Sequence, residues 1–233
     1  MANSQFQLNI KTPAYVEMMN NHLISVNLYD EIVLEKINER KIQIIKTNGY
    51  KIPTNNENLV YKIALALQNH KPNKFGVKIN ISKNIPTFSG LNSQASNAVG
   101  VLLSLNKLWN FNFNQKELIK IAKNVDIKIA EILKLKLGVK CQNIVLIRPK
   151  YIKIDENWIK KIAKTRTFES IAFKYFPDIK KIASLLKKSG CEKVGMSGKG
   201  PILFGFFKNM IDAQKIQNGL NEKIDFIWTG VTC

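Results

Sequence analysis

Two glycine-bearing turns have the residue types that bind phosphate. The first, SGLNSQASNA at 89–98, follows an apolar strand pattern and opens a helical pattern. The partial positive charge of a helix N-terminus favours an anion there. The second, GMSGKGPILFGFF at 195–207, places a turn between two apolar strands. Its N–H groups could also bind an anion, but a tight hairpin needs glycine for its geometry alone.

The elements before and after the first turn can be read from hydrophobic periodicity. Alternation predicts strands at 5–10, 31–37, 41–46 and 76–82, the middle two being joined by the turn NERK. Thr54 and Glu57 have the spacing of a capping box before a helix at 55–69. A mostly buried helix follows the turn, and a further helix at 114–124 has Asn114 as its predicted N-cap.

The second half of the chain predicts a split ferredoxin-like order, β-α-β-β-α-β. Its elements are a strand at 143–149, helices near 155–164 and 168–189, strands at 192–197 and 201–207, a helix at 209–220 and a strand at 225–231. No repeat or low-complexity linker separates the halves, so we expect two lobes with a boundary near 140–150.

Composition indicates a folded protein without a membrane span. Hydrophobic residues make up 45% of the 233 residues and charged residues 23%, both near the averages for globular domains. No apolar run reaches membrane-spanning length and no export signal is visible, so we expect a cytoplasmic protein. Three scattered cysteines and two histidines predict neither a disulfide framework nor an imidazole metal site.

The formal net charge of +19 would attract anionic partners such as RNA or nucleotides. The lysines are spread over nearly every segment, and the sequence shows no cluster of basic and aromatic residues typical of nucleic-acid recognition. The charge therefore leaves RNA binding open as an alternative without favouring it as the main role.

Several segments together resemble the 4-diphosphocytidyl-2-C-methyl-D-erythritol kinases of the GHMP kinase superfamily. They agree in order and spacing and are LYDEI (28–32), IPTNNENLVYKIALAL (52–67), the run at 76–109, FESIAFKYFPDIKKI (168–182) and KVGMSGKGPILFGFF (193–207). The resemblance implies an α+β fold with two lobes. Residues 1–145 would resemble domain 2 of ribosomal protein S5, with the ATP loop at 84–100, and residues 146–233 a ferredoxin-like lobe with a loop at 196–201.

The family's ATP loop has the form PxGxGLGGGSSNAA. Matching residues are Pro86, Gly90, Leu91, Ser96, Asn97 and Ala98. Phe88, Asn92, Ser93 and Gln94 stand at family glycines, and Ala95 replaces a serine. The resemblance implies that residues 86–97 bind ATP, with Ser96 near Mg²⁺. Side chains at these glycine positions would crowd the phosphates. We expect Asn92 to be the mildest change, because Asn can adopt the left-handed conformation, and Gln94 to be the most disruptive.

The family's catalytic motifs are only partly matched. TPAYVEM at 12–18 places Tyr15 where the family has a catalytic lysine, and a phenol cannot replace a fixed cation. VDIKI at 125–129 places Asp126 at the family's presumed general base; a role as a capping or surface acid is equally open. The third motif keeps Ser197, Gly198 and Gly200 and adds Lys199, which could contact a phosphate or only solvent.

About 20 residues that recognise cytidine in the family are missing between Met19 and Ile24. The losses fall on functional motifs while core segments persist, so we favour a degenerate kinase homologue with weak or lost phosphotransfer. An active GHMP-type kinase on another small hydroxyl substrate, using ATP and Mg²⁺, is the first alternative. A non-catalytic module that binds nucleotide, RNA or protein is the second.

Overall fold

The computed structural model describes residues 7–18, 22–71, 73–135, 141–150, 168–220 and 224–232. The chain forms two compact units that are interleaved along the sequence. The first contains residues 1–14, 28–87 and 92–136, and the second contains residues 15–27, 88–91 and 137–233. Two segments that the sequence assigns to the N-terminal lobe, 15–27 and 88–91, thus cluster with the second unit.

The first sheet has four strands in the order β1-β2-β4-β3. The strands are β1 (Gln7–Glu17), β2 (Leu23–Ile37), β3 (Ile42–Gly49) and β4 (Gly76–Lys83). β4 lies between β2, to which it is antiparallel, and β3, to which it is parallel. The connection at 38–41 joins β2 and β3, but β4 lies between them in the sheet, so these two strands are not paired. β3 and β4 are parallel, and a parallel pair needs a crossover between its strands. Helix α1 supplies that crossover.

Four helices belong to the first unit: α1 (Leu59–His70), α2 (Ser93–Leu108), α3 (Gln115–Val125) and α4 (Ile127–Leu133). The capping box of α3 is confirmed, since Asn114 and Glu117 exchange both hydrogen bonds. The one predicted for α1 at Thr54 and Glu57 is wrong. The N-cap of α1 is Asn58, whose side chain accepts a hydrogen bond from the backbone N–H of Val60.

Asn58→Ala is expected to lower the free energy of unfolding by about 1–2 kcal/mol, because it removes the α1 cap and a 2.7 Å hydrogen bond to the Pro53 carbonyl. Thr54→Ala, at an exposed position, is expected to change it by less than about 0.5 kcal/mol. Urea denaturation of both variants checks the assignment of the cap. A larger loss for Thr54→Ala would restore the predicted capping box.

The second unit contains a four-stranded sheet in the order β6-β7-β5-β8. Its elements are β5 (Asn143–Pro149), α5 (Phe168–Tyr175), α6 (Pro177–Lys188), β6 (Lys193–Met196), β7 (Leu203–Phe207), α7 (Met210–Gly219) and β8 (Ile224–Val231). All neighbours in this sheet are antiparallel, which confirms the split ferredoxin-like order. The continuous apolar run of β5 packs with α6 and α7 in one core.

Of the helices predicted for this half, one is divided in two in the structure and another is not described. The single helix at 168–189 is two helices, because Pro177 lacks an N–H and takes the first position of α6 instead of continuing α5. The helix predicted near 155–164 lies outside the described residues. Among the helices that the structure does describe, none is both long and apolar enough to cross a membrane.

Candidate functional site

The loop between β4 and α2 keeps a left-handed backbone at three positions. Phe88, Gly90 and Asn92 have φ angles of +52°, +80° and +53°. Asn92 thus adopts the conformation that the sequence predicted for it, whereas a phenylalanine is costly there. Ser93 and Gln94 lie in the first turn of α2. Glycine is therefore not required for backbone conformation at those two positions.

The side chains of this loop point in different directions. The Phe88 ring is 72% exposed and Gln94 is also exposed, whereas Ser93 and Ser96 are buried. Asn92 is the N-cap of α2, but its side chain makes no capping hydrogen bond to the first turn. The Asn92 side chain therefore does not occupy the backbone N–H groups at the N-terminus of α2.

A fully buried ion pair lies beneath the loop. The Lys83 ammonium is 2.6 Å from the Asp30 carboxylate, and both side chains are completely inaccessible to solvent. Lys83 Nζ also donates to the Ile85 carbonyl at 2.7 Å and to Ser93 Oγ at 2.9 Å. An ammonium has three protons, and each of them has an acceptor here.

The Asp30 carboxylate is equally satisfied. Its Oδ1 accepts from the backbone N–H groups of Asn84 and Ile85, both at 2.8 Å. Its Oδ2 accepts from Lys83 and from Asn97 Nδ2, the latter at 3.0 Å. Asn97 Oδ1 in turn accepts from Thr12 Oγ1 at 2.7 Å. Burial lowers the pKa of Lys83, and Asp30 opposes that shift.

The sequence predicted ATP-binding roles for Ser93 and Asn97 but assigned no role to Asp30, Lys83 or Thr12. The alternation of apolar and polar residues along β4 could have predicted that Lys83 is buried. Lys83 is in phase with the buried Val77, Ile79 and Ile81 of β4, and successive odd positions of a strand share one face. A lysine on an apolar face needs a buried partner.

A small open pocket in the first unit lies beside this ion pair. The residues that line it are Ile52, Pro53, Glu57, Asn58, Val60, Ile81, Lys83, Gln94 and Asn97. Its cavity volume is about 20 Å³, enough for about one water molecule and well below the range for ligand pockets. The sequence predicted only Gln94 and Asn97 of these residues, and Asp126 is not among them.

In the second unit, Ser197 joins three chain segments. Its hydroxyl donates to the Gly90 carbonyl at 2.8 Å and accepts from the Glu17 N–H at 3.0 Å. Gly198 N–H donates to the Glu17 carbonyl at 2.9 Å. Ser197 is fully buried. These contacts explain why Ser197 and Gly198 are kept without requiring a phosphate, while Lys199 is exposed at the tip of the turn.

Gly90→Ala is expected to lower the free energy of unfolding by at least about 2–3 kcal/mol. A Cβ at Gly90 would lie 2.2 Å from the Ser197 carbonyl oxygen, and the φ of +80° is itself unfavourable for alanine. Gly190→Ala is a matched control, because Gly190 has a φ of +85° but no atom within 4 Å of the added Cβ. The loss of stability in this control measures the cost of the left-handed backbone alone, about 1 kcal/mol. Equal losses by urea denaturation would exclude a steric role for Gly90.

Tyr15, which the sequence predicts at the position of the family's lysine, is buried in β1. Its backbone N–H donates to the Leu91 carbonyl at 2.9 Å. Burial raises the pKa of its phenol, so the side chain stays neutral at physiological pH. Tyr15 therefore supplies no positive charge.

Asp126, the predicted general base, lies at the junction of α3 and α4. It is the N-cap of α4, and its carboxylate accepts from the Lys128 N–H at 2.7 Å. The side chain is half-buried. This geometry supports the capping role that the sequence left open and leaves the role of general base a prediction.

The described residues contain no group of three or more His, Cys, Asp or Glu side chains that could hold a metal ion. Mg²⁺ often binds through one or two carboxylates, waters and substrate phosphates. The position of Ser96 near a Mg²⁺ ion stays a prediction.

Basic and aromatic residues do meet in space, although the sequence showed no such cluster. Lys36 Nζ lies 3.5 Å from the centre of the Phe75 ring, and Lys71 Nζ lies 5.5 Å from that of Phe111. These lysines lie over rings of the same unit.

Comparisons with known proteins point to one family. The model of the GHMP kinases N terminal domain matches residues 58–132, and that of the GHMP kinases C terminal domain matches residues 148–225. A 4-diphosphocytidyl-2-C-methyl-D-erythritol kinase from Caldicellulosiruptor saccharolyticus is 30% identical over 90% of this chain and 86% of its own. One from Clostridium perfringens is 30% identical over 89% of this chain and 88% of its own.

Solved structures share the fold. A crystal structure of 4-(cytidine 5'-diphospho)-2C-methyl-D-erythritol kinase superposes with a TM-score of 0.77 at 19% identity, covering 97% of this chain and 99% of the other. Homoserine kinase from Cytophaga hutchinsonii gives a TM-score of 0.73 at 16% identity, covering 100% and 96%. These similarities confirm the predicted α+β architecture of two lobes.

Proposed function

Because this chain belongs to the 4-diphosphocytidyl-2-C-methyl-D-erythritol kinase family of the GHMP kinases, we propose that it binds ATP but has lost most or all of the family's phosphotransfer activity. The observation that carries the proposal is the contrast between Tyr15 and the loop at 86–92. Phe88, Gly90 and Asn92 of the loop have a left-handed backbone, whereas the position predicted for the lysine holds the buried, neutral phenol of Tyr15.

The first unit supports nucleotide binding. Ile52, Pro53, Val60 and Ile81 line a pocket beside the start of α2, but its cavity volume of about 20 Å³ is too small for a nucleotide base. The N-terminus of α2 carries Gln94, which also lines the pocket. We place the phosphates of the nucleotide at the first turn of α2, where backbone N–H groups favour anions.

The chemical step is less well supported. Phosphoryl transfer depends on positioned charges that stabilise the developing negative charge. Bound ATP with Mg²⁺ would supply the phosphoryl group and part of that positive charge. Of this chain's residues, Tyr15 contributes no cation, and the Asp126 carboxylate already accepts the hydrogen bond that caps α4. The step would therefore lack the cation that the family's lysine supplies, while the capping bond leaves the other Asp126 oxygen as an acceptor for the hydroxyl proton.

The family's own substrate is also poorly accommodated. Met18 N–H donates to the His22 carbonyl at 2.8 Å, so only residues 18–22 join β1 to β2. The alignment with the relative from Caldicellulosiruptor saccharolyticus spans 252 positions, more than the 233 residues of this chain. Both facts agree with the predicted loss of the segment that recognises cytidine.

A second candidate function is an active kinase with a different small hydroxyl substrate. Two observations favour it. Asp126 is retained and only half-buried, and Lys199 extends from a glycine turn into solvent, where it could contact a phosphate. The remaining alternative, binding of RNA or protein without catalysis, is supported only by the net charge of +19.

Thermal unfolding with and without Mg-ATP tests the proposal. A ligand at a hundredfold excess over its Kd stabilises by about 2.7 kcal/mol, and for a chain of this size we expect the Tm to rise by roughly 5–10 °C. An unchanged Tm at millimolar Mg-ATP would exclude nucleotide binding. ATP hydrolysis or transfer to a panel of small polyols would instead support the active kinase.

Gln94→Gly tests where the phosphates bind. We expect this variant to bind Mg-ATP more tightly, because it removes the exposed side chain beside the proposed phosphate position. Lys116→Gly is the matched control, since Lys116 is exposed and also the second residue of a helix. Both variants share the cost of glycine in a helix, and only Gln94→Gly should change affinity.

A further inference from the structure

The hydrogen bonds of the buried ion pair end on both sides of the loop. Asp30 accepts from the N–H groups of Asn84 and Ile85, just before the loop. Lys83 donates to Ser93 Oγ, in the first turn of α2 just after it. Asp30 also reaches the next turn of α2 through Asn97. The same two charges therefore fix the start of the loop and the start of the helix.

Ser93 is the unexpected member of this cluster. It stands where the family has glycine, and its side chain was expected to crowd a phosphate. Instead Ser93 is 94% buried, and its hydroxyl is 2.9 Å from Lys83 Nζ. The hydroxyl is directed into the protein and completes the three acceptors of a lysine that has no access to water.

We propose that Lys83 and Asp30 position the first turn of α2 for anion binding, and that Ser93 is the positioning residue whose hydrogen bond to Lys83 fixes this turn. Ser93 is thus an adaptation of this chain rather than an obstacle to nucleotide. The inference rests on the proposed binding of ATP at this turn and adds which side chains determine its affinity.

The proposal reverses the expected effect of restoring the family residue. If Ser93 obstructs phosphate, Ser93→Gly should tighten binding. If Ser93 positions the helix N-terminus, Ser93→Gly should weaken it, because Lys83 loses one acceptor and the first turn loses its link to the ion pair. Ser93→Ala should act in the same way, since it removes the hydroxyl while keeping the backbone preference of a helix former.

Titration calorimetry of the full chain with Mg-ATP tests this inference. We expect Ser93→Ala and Ser93→Gly each to raise the Kd about 5–20-fold. Ser93→Thr, which keeps the hydroxyl, should stay within about threefold of wild type. Ser104→Ala is the matched control, because Ser104 is a buried serine of the same helix without a hydrogen bond to the ion pair, and it should leave the Kd unchanged.

The outcomes separate positioning from simple structural support. A lower urea midpoint with an unchanged Kd in Ser93→Ala and Ser93→Gly would overturn the inference and leave nucleotide binding intact. Tighter binding by Ser93→Gly would also overturn it and restore the obstruction model. Absence of Mg-ATP binding by the wild-type chain would overturn the proposed function and this inference together.

Discussion

Lys83→Met is expected to lower the free energy of unfolding by about 3–5 kcal/mol, the usual cost of removing one partner from a buried ion pair. The Asp30 carboxylate would remain fully inaccessible to solvent and lose its countercharge at 2.6 Å. Ile85 O and Ser93 Oγ would lose their donor as well. Urea denaturation at pH 7 measures the loss.

Lys78→Met provides the matched control, because it is the same substitution in the same strand. Lys78 lies 3.8 Å from Glu35 in a partly exposed pair, and exposed pairs contribute about 0–1 kcal/mol. The double variant Asp30→Asn with Lys83→Met should recover part of the loss, because no charge is then buried alone. A loss below about 1 kcal/mol for Lys83→Met would show that the pair is not buried in solution.

Phosphotransfer to 4-diphosphocytidyl-2-C-methyl-D-erythritol is expected to be at least about 10³-fold slower, in kcat/KM, than in the Clostridium perfringens relative. Loss of a single preorganised donor typically costs about 10²–10³ in rate, and here the predicted loss of the cytidine-binding segment adds to the loss of the lysine. A coupled assay of ADP release, with both proteins at equal concentration, measures the ratio. A rate within tenfold of the relative would refute the loss of activity.

Tyr15→Lys should not restore this activity. The side chain at this position is only 8% exposed, and burial of an ammonium favours its neutral form. The variant should therefore lose about 2–4 kcal/mol of stability and remain inactive. Tyr175→Lys, at a position that is 52% exposed, controls for the substitution itself. Recovered activity in Tyr15→Lys would show that the rest of the catalytic apparatus is intact.

Local patterns predicted most of the fold. β4, β5 and α3 were predicted to within a residue or two because alternation, a continuous apolar run and a capping box are all short-range signals. Local spacing gave a wrong prediction at α1, where Thr54 and Glu57 have the residue types and spacing of a capping box but Asn58 makes the cap. The break before Pro177 was visible in the sequence and was overridden by the helical periodicity around it.

The candidate site could be predicted only in part, because its decisive contacts join residues far apart in the chain. The motif predicted a role in ATP binding for positions within 86–97, and that role stays a prediction. The directions of their side chains did not, since Ser93 turns inward only because Lys83, ten residues earlier, needs an acceptor. Asp30 and Asn97 meet across 67 positions, and no local pattern specifies such a pairing.

The hydrogen bond between Glu17 and Ser197 spans 180 residues, which has a consequence for synthesis of the chain. At about 5–20 residues per second, a ribosome needs roughly 10–40 s to make the intervening segment. During that time the Glu17 backbone lacks the Ser197 hydroxyl and the Gly198 N–H to which it is bonded in the folded chain. The end of β1 therefore completes its hydrogen bonds only after residues 197 and 198 have been synthesised.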